Sequence, residues 1–290
     1  MNTSLRTCLA FILTSVVALA SMKQANAGST ESTSRSRLGQ ISTRGPMGHA
    51  RSLIGGFIIT GTEPKKIIVR VLGPSMGLPG VVEDPYLALY ASPGGEQGYN
   101  DDWADTQRAE IEATTIPPKE HDESAFVGEF ASDSQAYTAV GYTHTNDAGL
   151  GIVEVYDLAP AADSELANIS TRGTVENGDN ILIAGFTIIG SEPLRVIVRA
   201  IAPSLRKNLT YEKTLDDPTL ELRDRNGLLL ASNDNWRSNQ EAEIIATTIP
   251  PEDDRESAIV QTLLEGPYTA ILRSANDISG LAVVEAYALH

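Results

Sequence analysis

The sequence has almost no cysteine, since Cys8 is the only one among its 290 residues. Cys8 lies at the start of an apolar run, so the rest of the chain offers no disulfide, no thiol nucleophile and no thiolate metal site. Histidine is nearly as scarce, with His49, His121, His144 and His290. None of them belongs to an HExxH motif or a similar zinc-binding spacing. The composition excludes cysteine chemistry and leaves few groups for acid–base catalysis.

Aromatic residues are also scarce, at 6%, and the 22 basic residues are outnumbered by 38 acidic ones, which gives a net charge of −16. So acidic a chain repels the phosphates of nucleic acids and anionic membrane surfaces, and we expect neither as a partner. A carbohydrate-binding surface needs coplanar, exposed aromatic rings. Because Trp103 and Trp236 are expected to have structural roles, the sequence gives little support for such a surface.

Only one stretch is almost continuously apolar, residues 8–20, and about 13 residues are too few for a membrane-spanning helix, which needs about 20. Arg6 precedes this stretch and the small residues Ala25–Ala27 follow it, which is typical of a secretory signal peptide. We predict a signal peptide over 1–27, with an uncleaved anchor as the alternative, and no membrane span in the mature chain. Export would end in the periplasm, outside the cell or at the cell surface. The polar residues 28–37 predict a disordered lead-in.

The chain contains a duplication. The segment NDDWADTQRAEIEATTIPP at 100–118 recurs as NDNWRSNQEAEIIATTIPP at 233–251, and LGQISTRG at 38–45 recurs as LANISTRG at 166–173. A period of domain size indicates tandem domains rather than the short repeats of a solenoid. Removing the predicted signal peptide leaves these two copies as nearly the whole chain.

The duplication predicts a first copy over 38–158, a short linker over 159–165 and a second copy over 166–290, each with a hydrophobic core of its own. Short runs rich in β-branched residues alternate with turn signals such as Asn226-Gly227, the strongest short-range signal for a hairpin. We therefore predict an all-β protein made of two tandem antiparallel β-sandwich domains of jelly-roll type.

The motif order DPxLxL…NGxLLASNDNW…ESAI…GxYTA…VVEAY resembles repeats that occur in tandem in secreted bacterial proteins, often beside adhesion-type modules. It is more loosely similar to bacterial pre-peptidase C-terminal domains, which are small jelly-roll sandwiches attached to secreted enzymes. The DP…ND…GxYTA half of each copy carries this second likeness, and the ISTRG…GFxIxG…VR half lies outside it. The resemblance implies a non-catalytic module that is sometimes stabilised by calcium.

The acidic loop of each copy clusters oxygen donors of the kind that Ca²⁺ takes, six to eight at a time. The candidate ligands are Asp84, Asp101, Asp102, Asp217, Asp234 and Asn235. The loops lack the glycine and closing glutamate of an EF-hand. The alternative is that Asn and Asp cap the following helix or form Asx turns, while Trp103 and Trp236 plug the edge of each sandwich.

Charged residues recur at matched positions of otherwise apolar strands, Arg70 with Arg199 and Glu154 with Glu285. Burial of any of them without a partner would cost several kcal/mol. We expect each arginine to form an ion pair with the glutamate of its own copy, with ligand binding as the alternative.

No triad of Ser, His and Asp is shared by the two copies, and GPS at 73–75 is not the GxSxG elbow of hydrolases. We therefore predict an exported, non-catalytic binding or adhesion protein for an extracellular polymer such as a glycan, or for a cell-surface or matrix protein. One alternative is a calcium-stabilised structural module. Another is a hydrolase with its site in the first copy, using His144, or His121 with Asp122 or Glu123.

Overall fold

The computed structural model describes residues 35–48, 51–144, 148–178, 180–209 and 213–289. The predicted signal peptide lies outside these ranges, as does the predicted lead-in before Arg35. Ser36 is buried and Arg37 begins the first strand, so the end of the predicted lead-in belongs to the fold. The described chain forms sixteen strands, all paired antiparallel within its sheets, which confirms the predicted all-β fold. Among the described helices, none has the length and apolar character to cross a membrane.

The two copies contain the same elements in the same order. The first copy consists of β1 (Arg37–Met47), β2 (Leu53–Gly61), β3 (Lys65–Leu72), β4 (Pro85–Ser92), β5 (Gly95–Asn100), α1 (Arg108–Ala113), β6 (Ser124–Phe130), β7 (Asp133–Thr143) and β8 (Gly149–Asp157). The second consists of β9 (Ser164–Val175), β10 (Leu182–Ile189), β11 (Leu194–Ile201), β12 (Pro218–Asp224), β13 (Leu229–Asn233), α2 (Glu241–Ala246), β14 (Ser257–Leu263), β15 (Gly266–Ser274) and β16 (Gly280–Leu289). Single 3₁₀ turns occur at Pro74–Met76, Pro203–Lys207 and Trp236–Ser238.

The strands form two long sheets, each of which takes half of its strands from each copy. One sheet runs β6-β3-β8-β1-β10-β15-β12-β13 and the other runs β5-β4-β7-β2-β9-β16-β11-β14. A single paired position, Leu38 with Leu166, joins the two sheets. The sheets pack closely face to face, because a Cβ added to Gly141 in β7 would lie 2.9 Å from Val71 and 3.1 Å from Val153 in the facing strands. The architecture is therefore a two-layer sandwich.

The two copies pair with each other along a seam formed by β1 with β10 and by β2 with β9, and this seam corrects one expectation. β1 pairs with β10 over seven positions and β2 pairs with β9 over eight. The buried hydroxyls of Thr43 and Thr171, one from each copy, lie 2.6 Å apart at the seam. One hydrophobic cluster runs through both copies and includes Ile41, Phe57 and Phe186. The prediction that each copy closes around a core of its own is wrong, because each copy covers strand edges that the other would leave open.

The segment predicted as a linker, 159–165, is short and partly absorbed into the sandwich. Its first residues form a turn in which the N–H of Ala162 donates to the carbonyl of Ala159 at 3.1 Å. β9 then begins at Ser164, which is buried and pairs with Gly61 of the first copy. The two copies are therefore joined by a tight turn that leads directly into the seam.

The duplicated segment lies on the outside of the sandwich. In the first copy it carries α1, whose Ile111 packs with Ile68 and Val127 on the outer face of β3 and β6. In the second copy α2 does the same through Ile244. Two residues after the end of each helix lies a threonine with positive φ (Thr115 at 65°), and the Pro-Pro pair that comes after the next residue prevents continuation. The segment recurs because it covers the same outer face in both copies.

Candidate functional site

A buried glutamate in each copy ties the acidic segment to the sandwich. From the sequence, Glu123 was considered only as a partner of His121. Glu123 is fully buried, and its Oε1 accepts hydrogen bonds from the N–H groups of Gly73 and Ser75, both at 2.9 Å, and from the Ser75 hydroxyl at 2.7 Å. Glu256 accepts the matching bonds in the second copy. The Glu123 carboxylate therefore accepts hydrogen bonds from the turn at 73–75, and the Ser75 hydroxyl donates to that carboxylate. The recurrence of ESA in both copies was the available signal.

The matched charges lie together in both copies. Arg70 in β3 pairs with Glu154 in β8, and Arg199 pairs in the same way with Glu285. Arg70 also donates to the carbonyl of Ile116 at 2.7 Å, which holds the end of the acidic segment against the sheet. Burial by itself lowers the pKa of Arg70, but the adjacent Glu154 raises it above its ordinary value. The arrangement ties a loop to the sheet in each copy.

The tryptophans and the helix caps show how the segment is held. Trp236 is 2% exposed and packs in a small cluster outside the main core, while Trp103 is partly buried and its Nε1 donates to a carbonyl at 3.1 Å. The N-caps are not Asn or Asp but Gln107 and Gln240, and neither makes a side-chain capping bond. Asn100 instead accepts from the N–H of a residue in β6 at 2.8 Å. The helix-capping interpretation is wrong for α1 and α2, because Asn100 and its counterpart Asn233 bind the neighbouring strand instead.

The calcium candidates of the first copy point in two directions. Asp101 Oδ1 lies 2.9 Å from Nε2 of His144. Asp102 faces Asp105 and His121, and the ligand atoms of these three residues lie within 4.8 Å of one another. Two carboxylates with one imidazole suit a transition metal better than calcium, which takes oxygen donors. The Asp101 and Asp102 side chains therefore belong to different surroundings.

The candidates of the second copy are arranged differently. Burial, followed by the charge of Asp234, raises the pKa of Asp217, so these two carboxylates are neighbours. Asn235 turns its amide nitrogen toward Asp234 at 3.1 Å, and a nitrogen of this kind is a donor rather than a ligand. Asp254 occupies the position that His121 has in the first copy, and it pairs with Arg237 at 2.6 Å. The two loops have the same order of secondary-structure elements, but their candidate ligands differ.

The outer face of β5, β4 and β7 carries an exposed aromatic cluster, which we term the tyrosine patch. It consists of Tyr86, Tyr90, Tyr99, Tyr142 and His144. In β4, Leu87 and Leu89 point into the shared core, so strand alternation turns Tyr86 and Tyr90 outward. The same alternation in β7 turns Tyr142 to the outside, directly opposite Tyr86.

Tyr86 is the centre of the tyrosine patch. Its ring centroid lies 5.1 Å from that of Tyr142, with 22° between the ring planes, and 5.8 Å from that of Tyr99. The imidazole of His144 stacks on Tyr86 at 4.4 Å with a tilt of 28°. Tyr99 is 48% exposed and the His144 side chain is 44% exposed, so the cluster is open to solvent at these two members. The nearly parallel rings of Tyr86, Tyr142 and His144 thus stack on one another, and the members that are open to solvent are Tyr99 and His144.

The patch is surrounded by negatively charged side chains. Burial, then Asp101 and Asp84, raise the pKa of Tyr99, and burial followed by neighbouring tyrosines raises the pKa of Tyr142. Both hydroxyls therefore remain protonated at neutral pH and can donate hydrogen bonds. The sequences of β4, β5 and β7 contain no lysine or arginine. The patch offers the exposed ring of Tyr99, hydroxyl donors and carboxylate acceptors.

The second copy lacks this cluster. The matched positions are held by Thr219, Arg223, Ser232 and Arg273. Where Tyr86 and Tyr99 lie in the first copy, the second has an open cavity of about 330 Å³ lined by Thr219, Ser232 and Asp234 among other residues. The two copies share a framework and differ in what they present on it.

Sequence reasoning missed the tyrosine patch because it weighed the average aromatic content. Four of the nine tyrosines lie in this one patch. Two signals could have found it. Tyr86 and Tyr90 are an even number of residues apart in an alternating strand, which places them on one face. All four tyrosines stand where the other copy has a residue that is not aromatic.

No family model and no curated protein matches the chain. Among solved structures, a DUF4785 family protein from Legionella pneumophila subsp. pneumophila str. Philadelphia 1 is similar at 10% identity with a TM-score of 0.26. The match covers 88% of this chain and 62% of that one, so this chain spans less than two thirds of the length of that structure. A likeness of this size carries no argument about fold or function.

Proposed function

We propose that the protein is a non-catalytic binding protein that holds a glycan of an extracellular polymer on its tyrosine patch. The observation that carries the proposal is the cluster of aromatic rings around Tyr86 on one sheet face, open to solvent at Tyr99 and His144, which is present in one copy and absent from the other. The predicted signal peptide would deliver the chain to a compartment where such polymers occur.

The chemistry of the patch suits a sugar. The apolar face of a pyranose can pack on the exposed ring of Tyr99, while its hydroxyls donate to Asp101 and accept from the phenols. The rings stand on strands rather than on a mobile loop, so little ordering is needed when a ligand binds. A polyanion would meet carboxylates and no basic side chain from these strands.

The described histidines support binding rather than hydrolysis. His144 stacks on Tyr86 and contacts Asp101, and His121 is exposed beside Asp122 at 3.1 Å. The hydroxyl of Ser75 donates to Glu123, so it is not activated by an imidazole. His49 and His290 lie outside the described residues. A single patch also implies one glycan site per chain rather than two tethered sites.

Affinity electrophoresis in gels that contain neutral or basic polysaccharides tests the proposal. Tyr86→Thr and Tyr99→Ser install the residues of the second copy, so the sandwich should tolerate them. We expect the wild-type chain to be retarded, and each variant to bind about tenfold more weakly, because an aromatic contact contributes about 0.5–1.5 kcal/mol beyond its buried area. The matched control Thr219→Ala should bind like the wild type.

The proposal is overturned if no polysaccharide retards the wild-type chain, or if the tyrosine variants are retarded as strongly as the control. Circular dichroism of each variant must show the wild-type β spectrum, so that a loss of binding reports on the patch. Isothermal titration with the polymer that binds best should give a stoichiometry of one site per chain.

A further inference from the structure

We infer that a second copy of this chain docks on the open edge of β13, so that two chains pair their β13 strands antiparallel about a two-fold axis. This edge lies at the end of the molecule formed by the second copy, and the tyrosine patch lies at the other end. The inference therefore does not rest on the proposed function. It depends on which sheet edges are covered, on the exposed leucines of one edge and on the charges beside them.

The edges of the two sheets are β6 and β13 in one sheet and β5 and β14 in the other. An edge strand presents unpaired backbone groups, which can pair with another chain unless the edge is covered. In β6 the N–H of Val127 donates to the side chain of Gln107 at 3.1 Å, and its carbonyl accepts from the same side chain at 2.8 Å. Gln240 makes the same two bonds with Val260 in β14. The acidic segment of each copy thus covers one edge.

The other two edges, β5 and β13, differ at one matched position. In β5 the side-chain amide of Gln97 donates to the carbonyls of Gly95 at 3.2 Å and of Glu96 at 3.4 Å. The matched residue of β13 is Leu230, which cannot make such bonds. The same β-bulge interrupts both hairpins, so it does not distinguish the two edges. Among the described residues, no side chain hydrogen-bonds to the backbone of Leu229 or Leu230, and β13 is the uncovered edge.

This uncovered edge is also apolar. Leu228, Leu229 and Leu230 are 63%, 45% and 37% exposed. The first copy folds in the same way with the sequence Gly-Glu-Gln at 95–97, so the fold does not require leucines at these positions. Three consecutive exposed leucines on an open strand edge are typical of a surface that a partner covers.

A second copy of the chain is the favoured partner because the edge is complementary to itself. Antiparallel pairing centred on Leu229 and Leu230 brings leucine against leucine. It also places Arg225, at the tip of one hairpin, opposite Asp234, at the base of the other, and it does so twice across the two-fold axis. The new pair continues a sheet that already contains the edge-to-edge pairing of β1 with β10. Because each chain offers one such edge, pairing closes at the dimer and does not extend into a fibre.

Sedimentation velocity of the full chain over a range of concentrations tests the inference. We expect a monomer–dimer equilibrium that tightens when salt screens the net charge of −16. Leu229→Glu, which installs the residue of the first copy, should weaken dimerisation by about tenfold or more, because it places two carboxylates close to the two-fold axis. The matched control is Ile245→Glu on α2, which also installs the residue of the first copy, at a side chain that is 49% exposed. This control should dimerise like the wild type.

Two further measurements identify the surface. Hydrogen exchange of the wild-type chain should slow at the amides of β13 as the concentration rises, and should not change at those of β5. Arg225→Asp should weaken the dimer a few-fold, as expected for the loss of exposed ion pairs. Adding Asp234→Arg should restore it, since the exchanged charges face each other again and the net charge returns to that of the wild type.

The inference is wrong if the wild-type chain stays monomeric at the highest concentration reached, or if exchange slows at another edge strand instead of β13. Equal weakening by Leu229→Glu and Ile245→Glu would assign the association to net charge and would also refute it. Assemblies that grow beyond the dimer would show that a second edge is open. Circular dichroism checks the fold of each variant, and the exchange measurement needs no variant at all. None of these outcomes bears on the glycan site.

Discussion

Shortening Leu89 to alanine, in the first copy, should destabilise the second copy by the same amount. Leu89 is completely buried in the hydrophobic cluster that both copies share, and loss of such a side chain costs about 2–5 kcal/mol. The seam joins seven positions of β1 to β10 and eight of β2 to β9. At about 0.5–1.5 kcal/mol net per hydrogen bond, opening the seam costs on the order of 10 kcal/mol, as much as a typical whole domain's stability.

Because of this cost, a state with one copy unfolded and the other intact should not be populated. The chain offers one reporter in each copy, Trp103 in the first and Trp236 in the second. We expect urea unfolding of Trp103→Phe and of Trp236→Phe, each with and without Leu89→Ala, to show the same loss of unfolding free energy. Calorimetry should give one transition whose calorimetric and van't Hoff enthalpies agree.

Cooperative unfolding of the two copies is refuted if Leu89→Ala shifts the transition that Trp103 reports and leaves the one that Trp236 reports in place. Such a result would mean that each copy unfolds on its own and that the seam contributes little. A calorimetric enthalpy about twice the van't Hoff enthalpy would indicate the same independence.

Three further predictions concern charged groups. Lys65 and Asp157 form a buried ion pair at 2.9 Å where the second copy has Leu194 and Ala288. Asp157→Ala should therefore lower the unfolding free energy by about 3–5 kcal/mol, and adding Lys65→Leu should recover most of this loss. A double variant as unstable as the single one would contradict this. Burial above all raises the pKa of Asp102, while the nearby His121 opposes this shift and other aspartates add to it, so the ionised form of Asp102 is disfavoured in the folded state. Asp102→Asn should therefore raise the melting temperature slightly at neutral pH and have no effect below the pKa of an unfolded aspartate, and a pH-independent difference would refute the explanation. The calcium-stabilised alternative requires a gain of about 2.7 kcal/mol per site at 100 times the Kd; because the candidate ligands are divided, we expect a chelator to leave the melting midpoint unchanged.

The duplication made some features of the site predictable and concealed others. Residues that hold the loop, such as Arg70 and Glu154, recur in both copies, so their pairing could be expected from sequence. The calcium candidates could not be sorted in this way, since Asp101 and Asp102 are adjacent in sequence but point to different partners. The direction in which each of these side chains points depends on the conformation of the loop backbone, which sequence spacing does not specify. The tyrosine patch needed the sheet, which brings Tyr86 and Tyr142 opposite each other from distant positions.

By itself, the sequence determined that the protein is all β, that it contains two related units and that the inner faces of their strands are apolar. Local alternation is sufficient for these conclusions, because it decides which face of a strand is buried. Only the tertiary structure decided that the units fuse into one sandwich. β2 and β10 carry nearly the same pattern, GGFII and AGFTI, so β1 could pair with either of them. Either pairing would cover the same strand edges, so the choice falls to contacts between the copies, such as the buried Thr43–Thr171 hydrogen bond and the shared hydrophobic cluster, which belong to the whole assembly rather than to any segment.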